Sequence, residues 1–146
     1  MAYLHNDTRT LRLHLEWVDQ ERQPPHRRLG TAAIEFYDRR DQEYWPMVRL
    51  PILYADPEET ARFDSQLKDL CSGRVDGLSL TLGAQSELAF QAAKQADQSY
   101  LIEVGLDLAP YLQEASGKPL EPGRELALFR FHASMAAMVL FGSNSG

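Results

Sequence analysis

Three observations predict an α+β fold. Most apolar side chains recur with a period of two, one segment around 56–73 switches to the helical period, and no strand reads as the continuous apolar run of a parallel sheet. The expected architecture is a twisted antiparallel sheet of about six to seven strands packed under one main helix over 57–72. A short C-terminal helix over 134–141 is added, where a strand reading stays open. The 146 residues suit one domain, 1–146, with a frayed tail at 143–146.

The first strand is "TLRLHLEWV". Leu11, Leu13, Leu15 and Trp17 point one way, and Arg12, His14 and Glu16 the other. "DQERQPPHRRLG" must be a loop, because its adjacent prolines and polar side chains suit neither helix nor sheet. "TAAIEFYD" and "YWPMVRLPILYA" follow as strands about a polar turn, with Val48, Leu50, Ile52 and Tyr54 expected to share a face. Pro46 and Pro51 cannot donate to a ladder, which places the second of these strands at a sheet edge or across a bulge.

The helix is written out in full. Asp56 suits the N-cap, Pro57 the first turn and Glu59 the capping box, while Gly73 suits the left-handed end. Phe63, Leu67, Leu70 and Cys71 fall on one stripe, and Asp64 and Lys68 are spaced for a pair on the wet side. Beyond it, "GLSLTLG", "ELAFQAA" and "SYLIEVGLDLA" return to the strand period. "PYLQEASGKPLEPG" reads as a turn-rich connection. "ELALFRFHA" places Leu126 and Leu128 opposite Phe129 and Phe131, so both of its faces are expected to be covered.

Composition narrows the function classes. The net charge of −6 comes wholly from residues 56–146, which hold seven Lys and Arg against thirteen Asp and Glu; residues 1–55 balance at eight and eight. An acidic surface repels a phosphate backbone and attracts a basic partner, so nucleic acid is not expected as a ligand. No apolar run has membrane-spanning length, and the first residues lack a secretory signal, so a cytoplasmic protein is expected.

Candidate chemistry is sparse. Cys71 is the sole cysteine, and it sits at a helix C-terminus on an apolar stripe, where a thiolate is disfavoured; we read it as structural. His5, His14, His26 and His132 show no metal-ligand spacing, and no cofactor or metal is expected. Arg12, His14 and Glu16 share a strand face, where they could hold a small anion or move a proton, or form a solvated face. Asp56, Glu58 and Glu59 are accounted for by the helix start, and Arg22, His26, Arg27 and Arg28 form a basic loop. No catalytic motif is present, and no enzyme is expected.

The second half carries a resemblance. "DPEETARFDSQLKDLCSG", "GLSLTL", "SELAFQ", "YLIEVGLDLAPYL" and "LALFRFHAS" are similar, in order and apolar spacing, to the WapI-type immunity proteins and their uncharacterised bacterial relatives. Leu88-Ala89-Phe90 and Leu108-Ala109-Pro110-Tyr111-Leu112 stand where that family carries comparable phrases, and the likeness covers about 56–138. It implies a non-enzymatic protein that binds and neutralises a toxin domain. A basic partner of that kind would meet acids of the second half, and Glu103, Asp107, Glu114 and Glu121 are the candidates. Two other readings stand beside it: a small-molecule binder or weak hydrolase using Arg12, His14 and Glu16, and a homodimeric structural subunit formed through "YWPMVRLPILY".

Overall fold

Among the described residues, eight antiparallel strands form two four-stranded sheets, not one. The computed structural model describes residues 1–18, 28–116 and 126–144, with the backbone alone for 113–116. Strands β1 (Ala2–His5), β2 (Leu11–Val18), β3 (Arg28–Asp38) and β4 (Glu43–Ala55) make sheet 1, and helix α1 (Pro57–Cys71) follows. Strands β5 (Gly77–Leu82), β6 (Leu88–Lys94), β7 (Tyr100–Asp107) and β8 (Leu126–Ala133) make sheet 2. Helix α2 (Ala109–Ser116) lies between β7 and β8, and α3 (Met135–Asn144) comes after β8. In each sheet the strands stand in chain order, so each is a meander.

The α+β class and the antiparallel pairing are as expected; the sheet count is corrected. Alternation shows which side chains face a core, but not whether the strand after a helix rejoins the same sheet. Among the described residues β4 pairs only with β3, and its register shifts twice, once against Gly30–Ala32 and once against Ile34–Glu35. Pro51 and Ile52 together face Thr31, and Met47 is passed over beside Pro46. Both prolines therefore sit at bulges on an edge strand, where a missing N–H costs least. The first shift inverts the strand's facing. Leu50 is buried, and then Leu53 and Ala55, while Ile52 and Tyr54 are exposed instead of sharing Leu50's face.

Other expectations need smaller corrections. β1 was too short to register as a strand by pattern. The segment after β7 begins as helix α2, with Asp107 accepting from the Ala109 amide at its start, 3.0 Å away. α1 ends at Cys71, with Ser72 as its C-cap, and α3 extends through Asn144. The supposed tail at 143–144 is thus helical, and 145–146 lie outside the described residues, as do loop residues 19–27. On β8, Phe131 and Ala133 are buried, but Leu126 and Leu128 are exposed, so one face is uncovered.

One core serves both sheets. Leu13, Leu15, Ile34 and Leu50 of sheet 1 join Phe90, Tyr100, Ile102 and Val104 of sheet 2 in a single cluster with Phe63, Leu67 and Leu70 of α1 and Met138 and Phe141 of α3. The rings of Phe63, Phe90 and Phe141 form its centre, with centroids 5.5–6.1 Å apart. Each fully buried side chain of this size contributes about 1.5–3 kcal/mol. The helices cross over: α1 follows sheet 1 but approaches β5, and α3 follows sheet 2 but lies along β1, while both helices touch each other.

Local terms set the helix ends as the sequence proposes. The Asp56 amide donates to Glu59 Oε2 at 3.1 Å, completing one limb of a capping box. Gly73 takes φ of 82° and ends α1, its amide reaching the Leu70 carbonyl at 3.2 Å. Truncation of the stripe is the direct check on helix–sheet packing. Leu67→Ala, at a position 1% exposed, is expected to lower unfolding free energy by ~2–5 kcal/mol in urea titrations.

Candidate functional site

The outer face of sheet 1 is where the structure gathers polar and aromatic side chains. Alternation on β2 sends Arg12, His14 and Glu16 outward, as expected from the sequence. Register then sets their neighbours: Tyr3 and His5 of β1 stand opposite His14 and Arg12, and Glu35 of β3 stands opposite Arg12 from the other side. Tyr44 and Arg49 of β4 extend the group beyond β3.

Arg12 is the centre of the cluster. Its guanidinium lies between two rings, 4.1 Å from the centroid of Tyr3 and 3.8 Å from that of Tyr44. Its Nε donates to Glu35 Oε1 at 2.6 Å, with the two side chains only 19% and 12% exposed. Cation–π contacts contribute about 0.5–2 kcal/mol each according to their desolvation, and the charge-assisted bond satisfies Glu35 where water has little access. Removal of Arg12 would therefore cost more than its own contacts, since Glu35 would lose its counter-ion.

The histidines are held from both sides. His14 stacks on Tyr3, with centroids 4.6 Å apart, and its Nδ1 lies 3.4 Å from Glu35 Oε2. Its Nε2 is buried without a hydrogen bond, 3.6 Å from Glu16 Oε2. The Tyr44 hydroxyl donates to the Arg9 carbonyl at 2.6 Å, which commits its single proton. His5 Nδ1, 3.2 Å from the same oxygen, must then be the protonated nitrogen and donate to it. Burial, followed by the charges of Arg9 and Arg12, pushes the His5 pKa down.

Two hollows adjoin this face. One, of about 150 Å³, is lined by His14, Thr31, Ala33, Glu35, Pro46 and Arg49. The other, of about 230 Å³, lies where Tyr3, His5 and Arg9 meet the start of α3. Exposed Trp45, Met47, Ile52 and Tyr54 stand along β4 beside them. Among the described residues no group of three or more His, Cys, Asp or Glu is placed to hold a metal ion.

The structure brings Arg12, His14 and Glu16 onto one face, and of the acidic candidates it describes the side chains of Glu103 and Asp107. Glu103 is paired with Arg130 at 2.6 Å on the outer face of sheet 2. Asp107 is buried and serves the start of α2. The Glu114 side chain and Glu121 lie outside the described residues, as do Arg22, His26 and Arg27 of the basic loop, whereas Arg28 opens β3 with its guanidinium 5.0 Å from the Trp17 ring. Cys71 is half-buried between α1 and α3, and burial raises its pKa, away from the reactive thiolate. Burial and nearby Glu87 push the Tyr111 hydroxyl up to about 12; it donates to the Ile52 carbonyl and ties α2 to β4.

Sequence reasoning missed Tyr3, His5, Glu35, Tyr44 and Arg49. The alternation of "TAAIEFYD" already put Glu35 on the polar side, but its pairing with Arg12 depends on strand register, which alternation leaves open. No protein-family model, curated protein or solved structure matches the chain.

The depressed His5 pKa has a testable consequence. The unfolded chain takes up this proton first on acidification, so His5 contributes stability above its ordinary value of 6.5 that is lost as pH falls through 6.5 towards the lower folded value. Urea titrations from about pH 8 to 5 should show a fall in stability that is smaller in His5→Asn.

Proposed function

We propose that the chain is a non-enzymatic protein-binding module whose binding surface is the outer face of sheet 1 with the adjoining flank of β4. The observation that carries this reading is the Arg12 clamp: a guanidinium fixed between Tyr3 and Tyr44 and neutralised by Glu35. Such a platform is rigid before a partner arrives, so little side-chain entropy is lost on docking. Its flank carries exposed Tyr54, of the aromatic type enriched at protein interfaces, and Ile52, both on the outer side of β4. Backbone strand addition along β4 is disfavoured, because Pro46 and Pro51 lack amides and Tyr111 occupies the Ile52 carbonyl. Recognition then falls to side chains.

The hollow beside His14 supports binding in preference to catalysis. At about 150 Å³ it is smaller than the ~300–1,000 Å³ of pockets that enclose organic ligands. Thr31 lines it, and His14 Nε2 makes no hydrogen bond to its hydroxyl. For the partner we adopt what the resemblance to WapI-type immunity proteins implies, a toxin domain, and place the protein in the cytoplasm on that reading.

The test is to look for a toxin domain encoded beside the gene and to titrate the folded protein with it by calorimetry; a gene neighbourhood without one counts against the partner named here. Ile52→Ala and Tyr54→Ala are each expected to weaken binding by roughly 30-fold or more, the range of interface hot spots. Thr81→Ala, on sheet 2, should change nothing. Absence of binding, or indifference to both substitutions on sheet 1, would defeat the proposal.

A second reading rests on the same hollow. Arg49 and His14 are placed to hold an ion-sized carboxylate or phosphate, with Glu16 and Arg12 behind them. A saturable rise in melting temperature with acetate or phosphate, lost in Arg49→Gln, is the result it requires.

A further inference from the structure

One buried acid plays no part in the sheet 1 surface. Glu87 stands just before β6 and is only 5% exposed. Its carboxyl folds back over the turn at 83–87, where Oε1 accepts the Gln85 amide and the Ser86 amide donates to the Gly83 carbonyl at 3.0 Å. The turn is tight. Gly83 and Ser86 have φ of 106° and 55°, and Ser86, which carries a side chain, keeps that left-handed backbone only while its surroundings hold it. A Cβ at Gly83 would overlap both Glu87 Oε2 and Leu53 Cδ1, so turn, carboxyl and β4 meet at this glycine.

The surroundings are unsuited to a carboxylate. One step beyond the Leu88–Leu106 pair, the Asp107 amide donates to the Glu87 carbonyl at 2.8 Å, so two acids stand opposite each other across β6 and β7. Like charges so placed repel. Glu59 of α1 adds a second negative charge; it lines a 180 Å³ hollow with Tyr54, Asp56, Gly83 and Ala84. Tyr111 of α2 also feels the Glu87 charge, but its hydroxyl is neutral and is donated to the Ile52 carbonyl. Among the described residues no Lys, Arg or His pairs with Glu87. Burial, reinforced by Glu59 and Asp107, pushes its pKa above the ordinary 4.5, against the pull of the Gln85 amide and its own.

We propose that Glu87 is a proton-operated latch: neutral, it closes the 83–87 turn onto β4, and ionised, it lets the turn open so that the carboxylate reaches water. The closed turn binds the proton more tightly than the open one, in which the carboxyl returns to its ordinary value. Closure is therefore most favoured below 4.5, is lost progressively as pH rises through the higher folded value, and then levels off. The latch works whatever sheet 1 binds, so the two proposals fail separately.

Hydrogen exchange of the full chain, followed by NMR from about pH 4 to 8, is the test, with rates expressed as protection factors to remove intrinsic base catalysis. Ile102, in the middle of β7, reports global opening. Relative to it, the Gln85, Ser86 and Asp107 amides are expected to lose ~5-fold or more in protection across this range, since one pKa unit of difference between two states shifts their ratio about tenfold. In Glu87→Gln, whose side-chain oxygen still accepts from Gln85, protection should stay high and flat. If that variant does not fold, the unaltered chain decides, because the loss of protection must share its midpoint with the Glu87 titration read at the carboxyl carbon. Protection that ignores pH, a dependence retained in Glu87→Gln, or a carboxyl titrating at or below 4.5 would overturn the proposal.

Discussion

The meeting of Phe63, Phe90 and Phe141 is the constraint on which the rest of the molecule depends. The three rings come from α1, β6 and α3, elements that sequence neighbourhood does not bring together. Each sheet buries one face, and the apolar side chains on it stabilise the fold only once that face is removed from water. The rings join the two inward faces through the helices, and each aromatic pair adds about 0.5–1.5 kcal/mol beyond area burial. Because α1 crosses to β5 and α3 crosses to β1, neither half can complete its core without the other's helix. The two halves share an order of elements, four strands in a meander and then a helix, except that α2 is inserted between the third and fourth strands of the second.

The shared core also decides what is left at the surface. With sheet 1 covered from inside only, its other face is free to carry polar groups, and it carries them as a bonded set. Arg12, Glu35, Tyr3 and Tyr44 fix one another, and His5 and His14 are held at the margins of that set. Sheet 2 has spent its outward polar groups differently. Glu103 is matched by Arg130, Gly105 leaves room for Leu126 at 3.2 Å from where a Cβ would stand, and Asp107 serves α2. Glu103 and Asp107 are thus each engaged within the fold, and the bonded set around Arg12 lies in the charge-balanced half.

Much of this was legible residue by residue. The stripe of Phe63, Leu67 and Leu70, the capping box at Asp56 and Glu59, and the left-handed Gly73 stand as the spacing requires, because helix geometry and end chemistry are local. The inward Leu13 and Leu15, or Tyr100, Ile102 and Val104, follow from strand alternation for the same reason. The face shared by Arg12, His14 and Glu16 was legible too, since it needs only a period of two. The partners of that face were not. Glu35, Tyr3 and Tyr44 reach Arg12 through register, and on β4 two bulges reset the facing, so that Tyr54 is outward where alternation puts it beside Leu50.

The sequence by itself determined the kinds of most elements, the ends of α1, the inward side of most strands and the uncharged character of the last segment. Those properties depend on neighbours a few positions apart, within reach of propensity, capping and period. Only the tertiary structure decided that the strands part into two sheets, that the helices exchange halves, and that an arginine is clamped between two tyrosines. Such outcomes rest on pairing between distant segments, and many registers satisfy the same pattern of apolar and polar residues; packing in three dimensions selects one of them.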